Sequence, residues 1–120
     1  ASGEVPYTTF MVSAETKEKE PEFVESIVRA IYKAQQYVQK ADDKDIAEAM
    51  QPFFPDTTLA DLETVSKSYR QIDAWCADPV MTEDAYGRLL DVIEGQGDLM
   101  GRPALTDLVD NSFALKVMGQ

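Results

Sequence analysis

Apolar and polar positions alternate along this chain in two different periods. Residues 7–13, "YTTFMVS", are uncharged and rich in β-branched and aromatic side chains, which predicts a β-strand. Tyr7, Phe10, Met11 and Val12 fall on both faces of that strand, the pattern of a strand covered on both sides. After it the period changes to that of helices. Ser13 is placed to cap one or two polar turns, "AETKEKE", which stop before Pro21. Pro21 suits the first position of a long helix reaching about Lys40, because its missing N–H costs nothing there. Phe23, Val24, Ile27, Val28, Ile31, Ala34 and Val38 recur in that helix at steps of three and four.

The helical pattern then continues in shorter pieces. Asp42 or Asp43 caps "KDIAEAM", and Pro52 and Pro55 close it, leaving Phe53 and Phe54 in an extended connection that reads as buried. Thr58 with Asp61 resembles a capping box and opens a helix with Leu59, Leu62, Val65, Tyr69, Ile72 and Cys76 on one stripe, ended by "ADP". Thr82 opens the next helix, whose inner face is Ala85, Tyr86, Leu89, Leu90 and Ile93, and Gly95 or Gly97 stops it. Thr106 is placed to cap a last stretch carrying Leu105, Leu108, Val109, Phe113 and Ala114. The expected architecture is mostly α, with one N-terminal strand followed by about five helices, and no internal repeat.

One strand alone has no ladder partner. A strand apolar on both faces needs neighbours on both edges, and no second convincing strand follows it. Either it pairs with another copy of itself or its sheet is built by residues preceding Ala1. The second reading makes these 120 residues the C-terminal portion of a larger α/β protein.

Charge and composition narrow the chemistry. The net charge is −11, from 22 acidic and 11 basic residues, so the basic stripe that nucleic-acid binding needs is absent. An anionic membrane surface is disfavoured for the same reason. There is no histidine, which removes most catalytic triads and most zinc sites, and the single Cys76 reads as a small buried hydrophobe. "DDKD" and "TED" match no calcium loop and sit where helix N-termini want negative charge. "GQGDLMGRP" lacks the Lys and Ser/Thr of a phosphate loop and follows a helix, so it reads as a turn. No enzyme, cofactor or metal is expected. No apolar run approaches the roughly 20 residues that span a bilayer, and "ASGEVP" has no basic or apolar leader region.

The order "PYTTFMVSAETKEKEPEFVESIVRAIYKAQQYV" resembles the C-terminal part of ABC-transporter substrate-binding proteins. The branch it resembles includes nitrate, sulfonate, taurine and thiamine-precursor binders. The carrying features are a strand ending in a short polar residue, a polar turn, Pro21-Glu22 opening an amphipathic helix, and Arg29-Ala30 within it. Trp75, the "TEDA" from Thr82 to Ala85 and the "LTDLVDNSFA" from Leu105 to Ala114 agree with the family's tail. Glu20 departs from the cap often found before the proline.

The resemblance implies a two-lobed type II periplasmic-binding-protein fold. In it residues 1–13 would be the interlobe crossing strand and 14–120 the helical part of the first lobe. It implies an extracytoplasmic, periplasmic setting, a small-molecule solute and an ABC permease as partner. It also places the ligand cleft near Tyr7 and Thr8. Tyr7 offers a ring that could stack on a ligand or sit in a core at a strand start, and Thr8 offers a hydroxyl that β-propensity also explains. The alternative is a free-standing helical interaction module whose strand adds to a partner's sheet edge.

Either reading leaves a strand with neither charge nor proline from Tyr7 to Ser13, open to pairing with another chain. The isolated 120 residues should therefore self-associate, with mass by light scattering rising across a concentration series. A strictly monomeric species at high concentration would show that the helices cover the strand unaided.

Overall fold

The computed structural model describes residues 3–120. Among them are seven α-helices and one 3-10 turn, and no strand. The helices are α1 (Ala14–Lys19), α2 (Pro21–Lys40), α3 (Asp43–Met50), α4 (Leu59–Gln71), α5 (Glu83–Gly95), α6 (Leu105–Leu108) and α7 (Ser112–Met118). The 3-10 turn, Gln51–Phe53, follows α3 directly.

Side-chain caps start most of these helices. Ser13, Asp42, Thr58 and Thr82 each accept a hydrogen bond from the backbone N–H three residues on, filling one of the orphan donors of the first turn. Of the two aspartates before α3, the cap is Asp42. Pro21 begins α2, and the Glu20 carbonyl accepts from the N–H groups of Phe23 and Val24 at 3.1 and 3.2 Å, so no side-chain cap is needed there.

Three helices end on a left-handed residue. Gly97 and Gly119 take φ of +82° and +81°, and each closes its helix with the bond pattern of a Schellman turn. At α4 the left-handed residue is Asp73 (φ 52°), with the Ala74 N–H donating to the Tyr69 carbonyl at 2.9 Å. That turn ends α4 at Gln71, five residues before the Cys76 that the apolar stripe predicts. Aspartate tolerates this conformation better than most side chains because its short polar group bonds locally.

The chain divides into two compact units, each described by itself. The first holds the described residues up to Val28 with Val80–Gln120. Its core is Tyr86, Leu90 and Leu105, with Met81, Leu99 and Val109 packed on them. The Tyr86 hydroxyl donates to the Pro103 carbonyl at 3.0 Å, which satisfies the phenol inside an apolar cluster. The expected single last helix is two. Ala104, not Thr106, precedes α6, with its N–H on the Asp107 carboxylate at 3.2 Å, and Val109 is extended. Asp110 then starts α7 by accepting from the Ser112 N–H at 3.0 Å.

The second unit is Arg29–Pro79. Its core is the α3–α4 pair, where Ile46, Ala47 and Leu62 are buried around a fully buried Ser66. The small Ala47 and Ser66 let the two backbones approach, and the Ser66 hydroxyl donates to the Asp43 carboxylate at 3.0 Å. Only Leu62 of the predicted α4 stripe is buried; Leu59, Val65, Tyr69 and Ile72 are exposed. Phe53 and Phe54 are exposed as well, and so is Cys76, against the expectation for all three. The 3-10 turn that contains Pro52 leaves both rings outward, and the Schellman turn carries Cys76 off the α4 stripe.

The predicted strand is not formed. Residues 3–13 are irregular, and Tyr7, Phe10 and Met11 are 98%, 82% and 87% exposed. A strand is a paired structure, and the described residues offer its N–H and C=O groups no second strand. Residues 1 and 2 of the expected 1–13 crossing lie outside the described residues.

Leu62→Ala should lower stability to urea by about 2–4 kcal/mol, because it empties the α3–α4 seam. Val65→Ala, on the exposed side of the same helix, should cost less than about 1 kcal/mol. Equal losses would place α4 in a different rotation about its axis.

Candidate ligand-binding segment

Tyr7 and Thr8 are brought together with Thr9, Phe10 and Met11 on one extended, exposed segment. Neither lies in a cavity. Among the described residues, 5–12 form no hydrogen bond or ion pair, so the Tyr7 ring and the Thr8 hydroxyl are presented to solvent. Each end of the segment is anchored within the first unit. At its start the Arg88 guanidinium of α5 donates to the Glu4 carbonyl at 3.5 Å. Gly3 lies beneath that guanidinium with φ +82°, and a Cβ there would come within 2.7 Å of Arg88 Nε. At its end Ser13 turns the chain into α1, and Lys17 of α1 reaches Asp110 at 2.9 Å.

Asp110 and Asn111 tie distant pieces of sequence together. One Asp110 oxygen takes Lys17 Nζ and the other takes the Ser112 N–H. The Ser112 hydroxyl foremost, then Lys17 and the Ser112 N–H, pull its carboxyl down to about 2. Asn111 pairs with the backbone of Met81 in both senses: its Oδ1 accepts from the Met81 N–H at 3.0 Å, and its Nδ2 donates to the Met81 carbonyl at 2.9 Å. One side-chain amide thus does for Met81 what a neighbouring strand would do. A second tie runs from Lys116 of α7 to Glu25 of α2. Sequence reasoning passed over Asp110 and Asn111; the signal present was only their place in "LVDNSFA".

The second unit holds a similar device. Gln35, Gln36 and Gln39 of α2 donate to the carbonyls of Asp78, Ala77 and Trp75 at 2.9, 2.9 and 2.8 Å. They hold residues 75–78 along the helix, and Trp75 stacks on Tyr69 at 5.4 Å. Trp75 is a packing residue here. A shallow open depression in the same unit is bordered by Lys40, Asp42, Lys67 and Arg70. Arg70 is already engaged, donating to the Ala41 carbonyl at 2.6 Å near the end of α2 and lying 3.4 Å from Asp43. This depression belongs to the second unit, and the predicted residues Tyr7 and Thr8 belong to the first.

Among the described residues, no group of three or more His, Cys, Asp or Glu side chains is placed to hold a metal ion. None of the helices described is long and apolar enough to cross a membrane. "TED" and the aspartates of "DDKD" act at the starts of α5 and α3.

Comparison with known proteins gives one informative match. Over 119 residues, 99% of its length, the chain is 34% identical to a protein of Bacillus subtilis (strain 168) called "Putative binding protein YtlA". The chain spans 36% of that protein's length. No family model matches the chain. No solved structure matches it either.

The lowered Asp110 carboxyl predicts an acid dependence with a definite sign. Its folded pKa of about 2 lies below the ordinary value of 3.8, so its contribution is complete above about pH 4 and is lost as pH falls toward 2. The pair is half exposed, so the effect is small. Asp110→Asn should flatten this part of the stability–pH curve, measured by urea unfolding between pH 5 and 2 (roughly the titration window). A variant curve as steep as the parent's would remove Asp110 from the acid response.

Proposed function

We propose that the chain is the C-terminal portion of the extracytoplasmic solute-binding component of an ABC importer. The class proposed is that of nitrate, sulfonate and taurine or of thiamine-pyrimidine precursors. In this reading residues 1–13 are the interlobe crossing strand of a two-lobed protein, and Tyr7 and Thr8 contribute to its cleft. The observation that carries the reading is the exposed apolar segment itself. Tyr7, Phe10 and Met11 are almost wholly uncovered in a chain that aligns end to end with about a third of a longer relative named as a binding protein. Uncovered apolar side chains and unpaired backbone on one uncharged segment call for a sheet, and a longer polypeptide supplies the residues to build one. The order of elements from Pro6 to Val38 and the tail from Leu105 to Ala114 support the same family.

The chemistry of such a site is recognition without reaction. The Tyr7 ring would cover an apolar or planar part of the solute, and the Thr8 hydroxyl would donate to a polar part. Lobe closure would exclude water and strengthen both contacts. The loaded protein would then dock on a membrane permease.

Calorimetric titration with taurine, alkanesulfonates, nitrate and pyrimidine thiamine precursors tests this reading. A longer protein carrying this chain after an α/β segment should bind one of these classes at micromolar affinity, and Tyr7→Ala should weaken it about tenfold. The isolated 120 residues should bind none of them, because half a site leaves the solute wet. Micromolar binding by the isolated chain would refute the missing-lobe reading and favour a self-sufficient module.

A further inference from the structure

The segment that carries Tyr7 and Thr8 is not a free tail. It is fastened at both ends by residues far away in sequence. Arg88 holds Glu4 and Gly3 at one end, and the Lys17–Asp110 pair holds α1 at the other. Asp110 is itself fixed by the Ser112 N–H at the start of α7, so the second tether ends on a helix and not on a mobile side chain. Between the tethers Val5, Tyr7, Phe10, Met11 and Val12 are exposed by 40–98%.

We infer that Arg88, Lys17 and Asp110 are positioning residues that hold residues 5–12 stretched and in one register for the sheet they join. The physical need is specific. A strand's side chains alternate between faces, so a slip of one residue exchanges Tyr7 with Thr8 and turns each side chain to the opposite face. Pinning both ends forbids that slip before any neighbour is present. It also lowers the conformational entropy still to be lost when the neighbours arrive. Gly3 is part of the device: with φ +82° and a guanidinium where its Cβ would be, any other residue there would displace Arg88. The tethers stand on geometry alone, whereas their bearing on Tyr7 and Thr8 as ligand contacts rests on the reading proposed above.

Spin labels at Thr9→Cys and Val92→Cys, in a chain carrying Cys76→Ser, measure the tethers directly, since Val92 is exposed on α5. Pulsed dipolar spectroscopy at low protein concentration should give one narrow distance distribution. Arg88→Met and Lys17→Met should each widen it by about twofold or more, as a chain freed at one end explores more space. Lys17→Arg should keep it narrow, and helical content by circular dichroism should stay constant throughout. A parent distribution as broad as those of the Met variants would overturn the proposal, as would Lys17→Arg broadening like Lys17→Met. Titration of the longer protein separates the two claims. Narrow distances with no solute bound would leave the tethers standing and remove the ligand-binding reading.

Discussion

An extended backbone must find partners for its N–H and C=O groups, and apolar side chains must find cover. Residues 5–12 meet neither requirement within the described chain, and most of what is unusual about the molecule follows from that. Several charged or amide side chains of the first unit work around this segment or around the start of α5. Arg88 takes its beginning, Lys17 and Asp110 take the helix after it, and Asn111 completes the backbone of Met81. The apolar core of Tyr86, Leu90 and Leu105 supplies the footing. It is small, and the ties distribute its rigidity to pieces that it does not cover.

Local signals in the sequence were legible where their physics is local. A Ser, Asp or Thr ahead of an amphipathic run reads as a cap because the cap bond spans three residues, and Ser13, Asp42, Thr58 and Thr82 all form it. Pro21 opens α2 for a similarly local reason. Burial was poorly legible, because it depends on what else is present. The α4 stripe has a clear period, yet α3 covers only Leu62 and Ser66, and the rest of the stripe faces out. Phe53 and Phe54 fail in the same way. The end of α4 was missed because an aspartate takes the left-handed position where a glycine would have signalled it.

The candidate site was legible only in part. The uncharged segment from Tyr7 to Ser13 announces itself by composition, and its exposure is what composition could not say. Asp110, Asn111 and the three glutamines of α2 carry no pattern that a spacing argument can detect. Their partners are backbone groups or lysines brought near by the fold. Amide and carboxylate side chains that bond to backbone leave no complementary residue in the sequence, so nothing pairs with them in a one-dimensional reading.

Those glutamines give the two units different sensitivities to the solvent. Gln35, Gln36 and Gln39 are neutral, and their partners are backbone carbonyls, so these three bonds carry no charge on either side. Two ties of the first unit, Lys17–Asp110 and Lys116–Glu25, are ion pairs open to counterions over a Debye length of about 8 Å at physiological ionic strength. Brine or acid would loosen α1 and α7 while leaving the turn after α4 in place. The part of the molecule bearing the apolar segment is thus tuned by its ionic surroundings, and the three glutamine bonds along α2 are not.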